Sequence, residues 1–130
     1  MTKRALVVFA MALALAVAGK SAMAAGDAAA GAQIFKHKCK TCHSAEEGKN
    51  RVGPYLFGVY GRKAGSTDFK RYKGLKGVDF VWDDKLLNEW LTSPKAFVKK
   101  NTPHKSTAMT FKLKNAKQRE DVIEYLKTLK

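Results

Sequence analysis

The sequence predicts an all-α domain organised around a large buried cofactor. Two observations predict the class. Three segments carry apolar residues at helical spacing, and no Val/Ile-rich alternating strand pattern occurs. A third observation points to the cofactor. The stretch between the first two helical segments has no period of its own, and loops that long are uncommon in a small domain unless something organises them.

The chain opens on a segment that does not belong to the domain. Lys3 and Arg4 form a positive start, and Ala5 to Ala18 is an unbroken apolar run of 14 residues. Ala22-Met23-Ala24 then places small residues where a signal peptidase reads them. A membrane anchor is the alternative, but a spanning helix needs about 20 apolar residues. Residues 1–24 therefore read as a secretory signal peptide cleaved after Ala24, and 25–130 as one domain of 106 residues exported to the periplasm. A domain that small often needs a staple or a cofactor.

Gly26 to Phe35 reads as the first helix, with Asp27 as N-cap and Ile34 and Phe35 toward the core. It should end near the two cysteines. From Ser44 to about Asp79, Pro54 and glycines from Gly48 to Gly77 mark loops and turns. Asp83 to Leu91 is the second helix, with Leu86, Leu87, Trp90 and Leu91 at helical spacing and Ser93-Pro94 as its stop. Ala96 to Thr107 reads as a polar, lysine-rich loop. Asn115 to Leu129 is the third helix, with a stripe of Val122, Ile123, Leu126 and Leu129 beside Tyr125.

Cys39-Lys40-Thr41-Cys42-His43 carries the chemistry. Two thiols three positions apart on a turn can each add to one vinyl group of a haem, and the next residue aims an imidazole at the iron from the same side. Three other readings compete. A thioredoxin-like dithiol expects a β-α-β pattern that is not visible. A disulfide closing so short a loop would stabilise little. Zinc normally takes four ligands, and only His37 and His104 remain to complete a set. On the haem reading, His43 is one axial ligand. Met109 is the only methionine beyond the leader and lies outside the helical stripes, so it is the candidate for the other. A thioether opposite histidine raises the potential and leaves no open site for substrate, which suits an electron carrier and not an enzyme.

The whole chain carries a formal +14. Without Lys3, Arg4 and Lys20, 22 basic and 11 acidic residues remain, a formal +11 spread along the domain. Such a field speeds encounter with negative surfaces. Export argues against nucleic acid as the partner. Acidic protein surfaces, or anionic lipid headgroups at a membrane surface, fit better.

These residues together resemble class I cytochrome c, over the whole domain. Cys39 to His43 matches the haem motif. Gly53-Pro54 with Leu56, Gly58, Gly61, Arg62 and Gly65 resembles the loop that follows it. Gly31 and Phe35 match positions that cross the C-terminal helix at Tyr125, and Trp82, Thr107, Met109 and Phe111 match the distal half. A six-residue excess between Pro94 and Met109 over mitochondrial-type proteins resembles the bacterial photosynthetic-type (c-two) group, as does the Met-Thr-Phe-Lys-Leu run.

The resemblance implies three to four helices around one covalent haem c, with one-electron transfer through the exposed haem edge. Pro54 would offer its carbonyl to the His43 ring, and Arg62, Trp82 and Thr107 would help satisfy the haem propionates. Lys38, Arg51 and Lys95 would lead the docking patch, with Lys36, Lys40, Lys99, Lys100, Lys105 and Lys112 as weaker members. A quinol-oxidising cytochrome complex, a photosynthetic reaction centre or a terminal oxidase would be the acidic partner of a monomeric carrier. Two departures stand out: Tyr55 where the family usually has Asn, and Trp90 where it usually has a Tyr that can bond the methionine sulfur. Indole only donates hydrogen bonds, which puts that contact in question. A haem protein with an open or labile sixth position, binding small ligands or acting as a peroxidase, is the alternative function; a haem-free thiol-disulfide oxidoreductase is the other.

Overall fold

Helices from the two ends of the chain cross face to face and frame the molecule. The computed structural model describes residues 26–130, so the signal-peptide reading of 1–24 lies outside the described residues. The elements are α1 (Ala28–Ile34), which runs on into a π-helical turn (Phe35–Cys39), then α2 (Asp84–Thr92), α3 (Pro94–Asn101) and α4 (Ala116–Thr128). Among the described residues the only ladder contact is an isolated antiparallel bridge between Lys63 and Val81. The all-α class stands.

Gly31 makes the α1–α4 crossing. A Cβ at Gly31 would run into the Asp121 carbonyl and the Tyr125 side chain, so only a glycine lets the backbones approach. One turn on, the Phe35 ring packs on Tyr125 with centroids 5.3 Å apart. Asp27 caps α1 by accepting from the Ala29 and Ala30 N–H groups. Its own N–H donates to the buried Asp121 carboxylate at 2.7 Å, which Lys117 also meets. Those two donors, the backbone one first, hold the Asp121 carboxyl below the usual carboxylate range. Phe35 is buried as the sequence predicts; Ile34 is half-buried at the edge of the core.

Asp83 caps α2 through the Leu86 N–H at 2.8 Å. The predicted lysine-rich loop from Ala96 is corrected here, because α3 covers its first half. Ser93-Pro94 does not only stop α2. Ser93 also caps α3 by accepting from the Ala96 N–H, with Pro94 pre-set at the start of the helix and Lys99 and Lys100 in its last turn. α3 buries Phe97 and Val98. Phe97 joins Phe80, Trp82 and Trp90 in a cluster of largely edge-on rings with centroids 5.2 to 5.6 Å apart. Such pairs contribute about 0.5–1.5 kcal/mol each beyond their burial.

The long connection between the π turn and α2 wraps the interior with little secondary structure. The Gly58 N–H donates to the Leu129 carbonyl and ties that connection to the end of α4. Gly65, at φ +65°, turns the chain where a Cβ would meet the Leu75 carbonyl. The segment after α3 returns to the frame at Leu113, whose N–H donates to the Leu91 carbonyl at 2.8 Å.

Candidate haem site

Between these loops and the inner faces of the helices lies a cavity of about 430 Å³. Its walls are largely apolar, with Phe35, Leu56, Trp82, Leu91 and Leu126 among them, and both cysteines reach it. The wide π turn delivers Cys39. The Lys40 N–H reaches back to the Phe35 carbonyl, after which the N–H groups of Cys42 and His43 both close on the Cys39 carbonyl at 3.0 and 2.9 Å. Single π turns in helices often mark functional sites. Here the turn brings two thiols and an imidazole to one wall.

Both cysteines are free. Burial pushes the Cys39 thiol up to about 11, against a smaller opposing pull from Lys38. A redox dithiol works through a lowered thiol pKa. Cys39 is tuned the other way. His37 is exposed, His104 is bonded to a backbone carbonyl elsewhere, and neither lines the cavity.

The His43 ring is fixed by two features. Its Nδ1–H donates to the Pro54 carbonyl at 2.7 Å, which leaves Nε2 with the lone pair. Gly53 lies flat against the same ring: a Cβ there would sit 2.5 Å from His43 Cε1. Burial pushes the His43 pKa below its ordinary value, with the Pro54 bond as the weaker opposing effect, so the imidazole is neutral.

Met109 is half-buried and lines the same cavity. Its sulfur accepts a hydrogen bond from the Trp90 indole Nε1–H at 3.2 Å. This answers the question raised by Trp90: a donor is what a thioether needs, and the larger indole reaches it. The sequence held the donor type but no sign of the distance between residues 19 apart. Thr107 and Trp82 also line the cavity, and the Thr107 hydroxyl accepts the Met109 N–H at 3.4 Å.

Arg62 is a half-buried cation in the wall, with its Nε fully buried. Its Nη atoms donate to the carbonyls of Phe57 and Tyr55 at 2.7 and 3.1 Å, and its guanidinium lies 5.1 Å from the Tyr55 ring centre. Tyr55 thus stacks where a shorter Asn could not. The Arg62 Nε is buried with no partner among the described residues. An unpaired buried donor on a cation fits an anionic group of a cofactor, and burial alone pulls the Arg62 pKa down.

The rim of the cavity is basic. Lys38, Arg71 and Lys73 line it, and among the described residues no acidic side chain does. Val52 and Phe111, 65% and 37% exposed, add apolar surface at the opening. Arg71 and Lys73 were missed by the sequence reading, although the charged run from Lys70 to Lys76 inside glycine-rich chain was a signal. Arg71 also donates to the carbonyls of Arg51 and Val52 at 3.2 and 3.3 Å. Arg51 is exposed beside this rim, whereas Lys95 sits in the first turn of α3 and does not line the cavity.

An apolar cavity with two thiols and a neutral imidazole on one wall, a thioether in another and a cation with one buried, unpartnered N–H accepts a covalently attached haem. The fold and the site therefore define a haem c protein. The chain belongs to the cytochrome c family: the family model described as cytochrome c matches residues 28–130. It carries one covalent haem c, and its function is electron carriage. Among curated relatives it is similar to a cytochrome c2 from Rhodopseudomonas palustris, 46% identical over 116 residues, covering 80% of this chain and 99% of the relative. A cytochrome c2 from Rhodospirillum rubrum is 42% identical over 124 residues, covering 90% and 91%. A further R. palustris cytochrome c2 is 39% identical over 142 aligned residues, covering all of both chains.

Proposed function

We propose that this chain is a soluble periplasmic electron carrier whose single haem is held by thioether bonds to Cys39 and Cys42 and by His43 and Met109 as axial ligands. The observation that carries the reading is the pairing of supports. The His43 ring is oriented by Pro54, and the Met109 sulfur is met by Trp90, both around one cavity. When bound, the haem supplies the one-electron couple. The chain's own residues orient the imidazole, exclude water, and offer Arg62, Trp82 and Thr107 to the propionates. Hydrogen-bonded outer partners of this kind orient ligands and tune their basicity.

Docking follows from charge. Among the described residues, the ion pairs involve Lys49, Lys63, Lys85, Lys100, Lys117 and Lys127, all outside the cavity lining. Among the described residues the rim cations Lys38, Arg71 and Lys73 have no acidic partner within ion-pair reach. Cations at the opening that no carboxylate neutralises steer an acidic surface to the haem edge. The partners are membrane redox complexes: a quinol-oxidising cytochrome complex, and a reaction centre or terminal oxidase. Among the described residues no helix is long and apolar enough to cross a membrane. Export is supported by the leader pattern of residues 1–24, with cleavage after Ala24.

The test is Met109→Ala in the haem-loaded protein. The ferric absorption band near the red end that reports methionine–iron bonding should vanish, and cyanide or carbon monoxide should then bind readily. If His104→Ala abolishes the native low-spin spectrum and Met109→Ala leaves it unchanged, the ligand is misassigned. If the wild type already binds these ligands rapidly, the sixth position is open and the protein is not a simple carrier.

A further inference from the structure

The loop that carries Met109 has few anchors. Among the described residues, segment 103–112 makes two hydrogen bonds to parts of the molecule beyond its own flanks. One is the Trp90 bond to Met109 Sδ; the other runs from the His104 ring to the Lys76 carbonyl at 2.6 Å. Its remaining bonds are local, from the His104 N–H to Thr102 Oγ1 at 3.0 Å and from the Met109 N–H to Thr107 Oγ1. No backbone bond to the frame occurs between the Thr102 N–H, which closes α3 on the Val98 carbonyl, and the Leu113 N–H.

The far side of the His104 bond is firm. Gly74 is buried, and a Cβ there would fall 2.6 Å from Val98 Cγ2 and 2.8 Å from the Ser106 carbonyl oxygen. Segment 74–76 therefore lies directly against the loop. Leu75 is buried in the cavity wall. Gly77, at φ +71°, turns the chain just after Lys76. A carbonyl can only accept, so His104 Nε2–H is the donor.

We propose that His104 is a positioning residue for the distal side: its ring latches the Met109 loop to the Lys76 carbonyl and sets how readily that loop opens. This rests on Met109 being the axial ligand. Opening the loop is the step that exposes the iron's sixth position to an outside ligand, and it breaks both anchors. His104 thus has a role distinct from that of a competing ligand, and Gln, whose amide also donates, should replace it in part.

The experiment compares wild-type, His104→Ala and His104→Gln ferric haem protein. It reads the limiting rate of cyanide uptake at saturating cyanide, amide hydrogen exchange in 103–112, and the guanidinium midpoint. Losing one net hydrogen bond of about 1 to 1.4 kcal/mol should make opening about five- to tenfold more frequent in His104→Ala. Exchange should rise in 103–112 and not in α1 or α4, and His104→Gln should recover most of the change. An unchanged cyanide rate and unchanged exchange overturn the proposal. So does an equal loss of global stability with Gln no better than Ala, because His104 is then a general structural residue. If Met109→Ala leaves the wild-type spectrum unaltered, the ligand reading fails instead, and exchange in 103–112 still reports the latch by itself.

Discussion

The two walls of the cavity are built differently. On the His43 side the chain is bonded to itself at short range: Gly53 N–H to the Cys42 carbonyl, Leu56 N–H to the Ser44 carbonyl, and Arg51 N–H to the Gly53 carbonyl, all within 2.9 Å. Asn50 adds side-chain bonds to the Tyr55 N–H and to Asp68, and Arg71 clasps the same turn from another loop. On the Met109 side, two side-chain bonds hold ten residues. The difference assigns the jobs. The His43 wall fixes geometry before and after electron transfer, while the Met109 wall is where the molecule opens. Segments with few bonded anchors open at lower free energy than the frame around them.

The largest expected effect breaks both walls at once. Replacing Cys39 and Cys42 together with Ala removes covalent attachment. The largely apolar cavity of about 430 Å³ then has nothing to fill it, and a small domain has only about 5–15 kcal/mol of stability to set against that loss. The variant should be recovered unfolded or degraded, as circular dichroism and periplasmic yield would report. A cooperatively folding haem-free protein would disprove the claim.

Next is a strike at the His43 wall alone. In Gly53→Ala the new Cβ meets the imidazole at 2.5 Å, so ring or turn must shift. The expected cost is about 1–3 kcal/mol of stability, the usual range for overpacking, together with a displaced histidine signal in the NMR spectrum of the haem protein. A variant as stable as wild type with an unmoved imidazole would mean that this turn is looser than its bonds imply.

A smaller effect belongs to the Met109 wall. Trp90→Phe keeps the ring packing and removes the N–H. The potential should fall, because the sulfur then donates more freely to ferric iron, and cyanide should bind about fivefold faster for about 1 kcal/mol of lost anchoring. Global stability should change little by comparison with Gly53→Ala. Equal losses in both variants would erase the contrast between the walls.

The smallest effect on the protein itself lies at the rim. Lys38→Glu should slow electron transfer to an acidic partner most at low salt and leave the spectrum unchanged, since rim charges act on association. Lys127 is a poor control, being paired with Asp84 and Glu124 and lying 5.1 Å from the Tyr60 ring centre. Lys130, exposed and outside the cavity lining, serves better, and Lys130→Glu should do much less. Stopped-flow rates from low to high salt decide the matter: a flat salt response, or equal losses from both reversals, would show that the rim does not steer docking.

What the sequence determined by itself was local. Cys39-x-x-Cys42-His43 is a single turn, and spacing is all it needs. Asp27 and Asp83 cap helices within three residues of themselves, and the stripes of α2 and α4 are written at helical period. Met109 was singled out by elimination, as the one methionine after residue 24, and the fold sets it in the cavity wall. α3 escaped because it is short, with its two buried large side chains, Phe97 and Val98, adjacent and so showing no period; Ser93-Pro94 read as an ending alone. Tertiary structure decided the rest. Trp90 meets Met109 across 19 residues, Arg71 reaches Val52 across 19, and His104 reaches Lys76 across 28. No periodicity encodes such meetings, because each depends on where the whole fold sets two backbones. The Cys39-to-His43 turn is a property of five consecutive residues; the support of the Met109 sulfur from across the cavity belongs to the packed molecule.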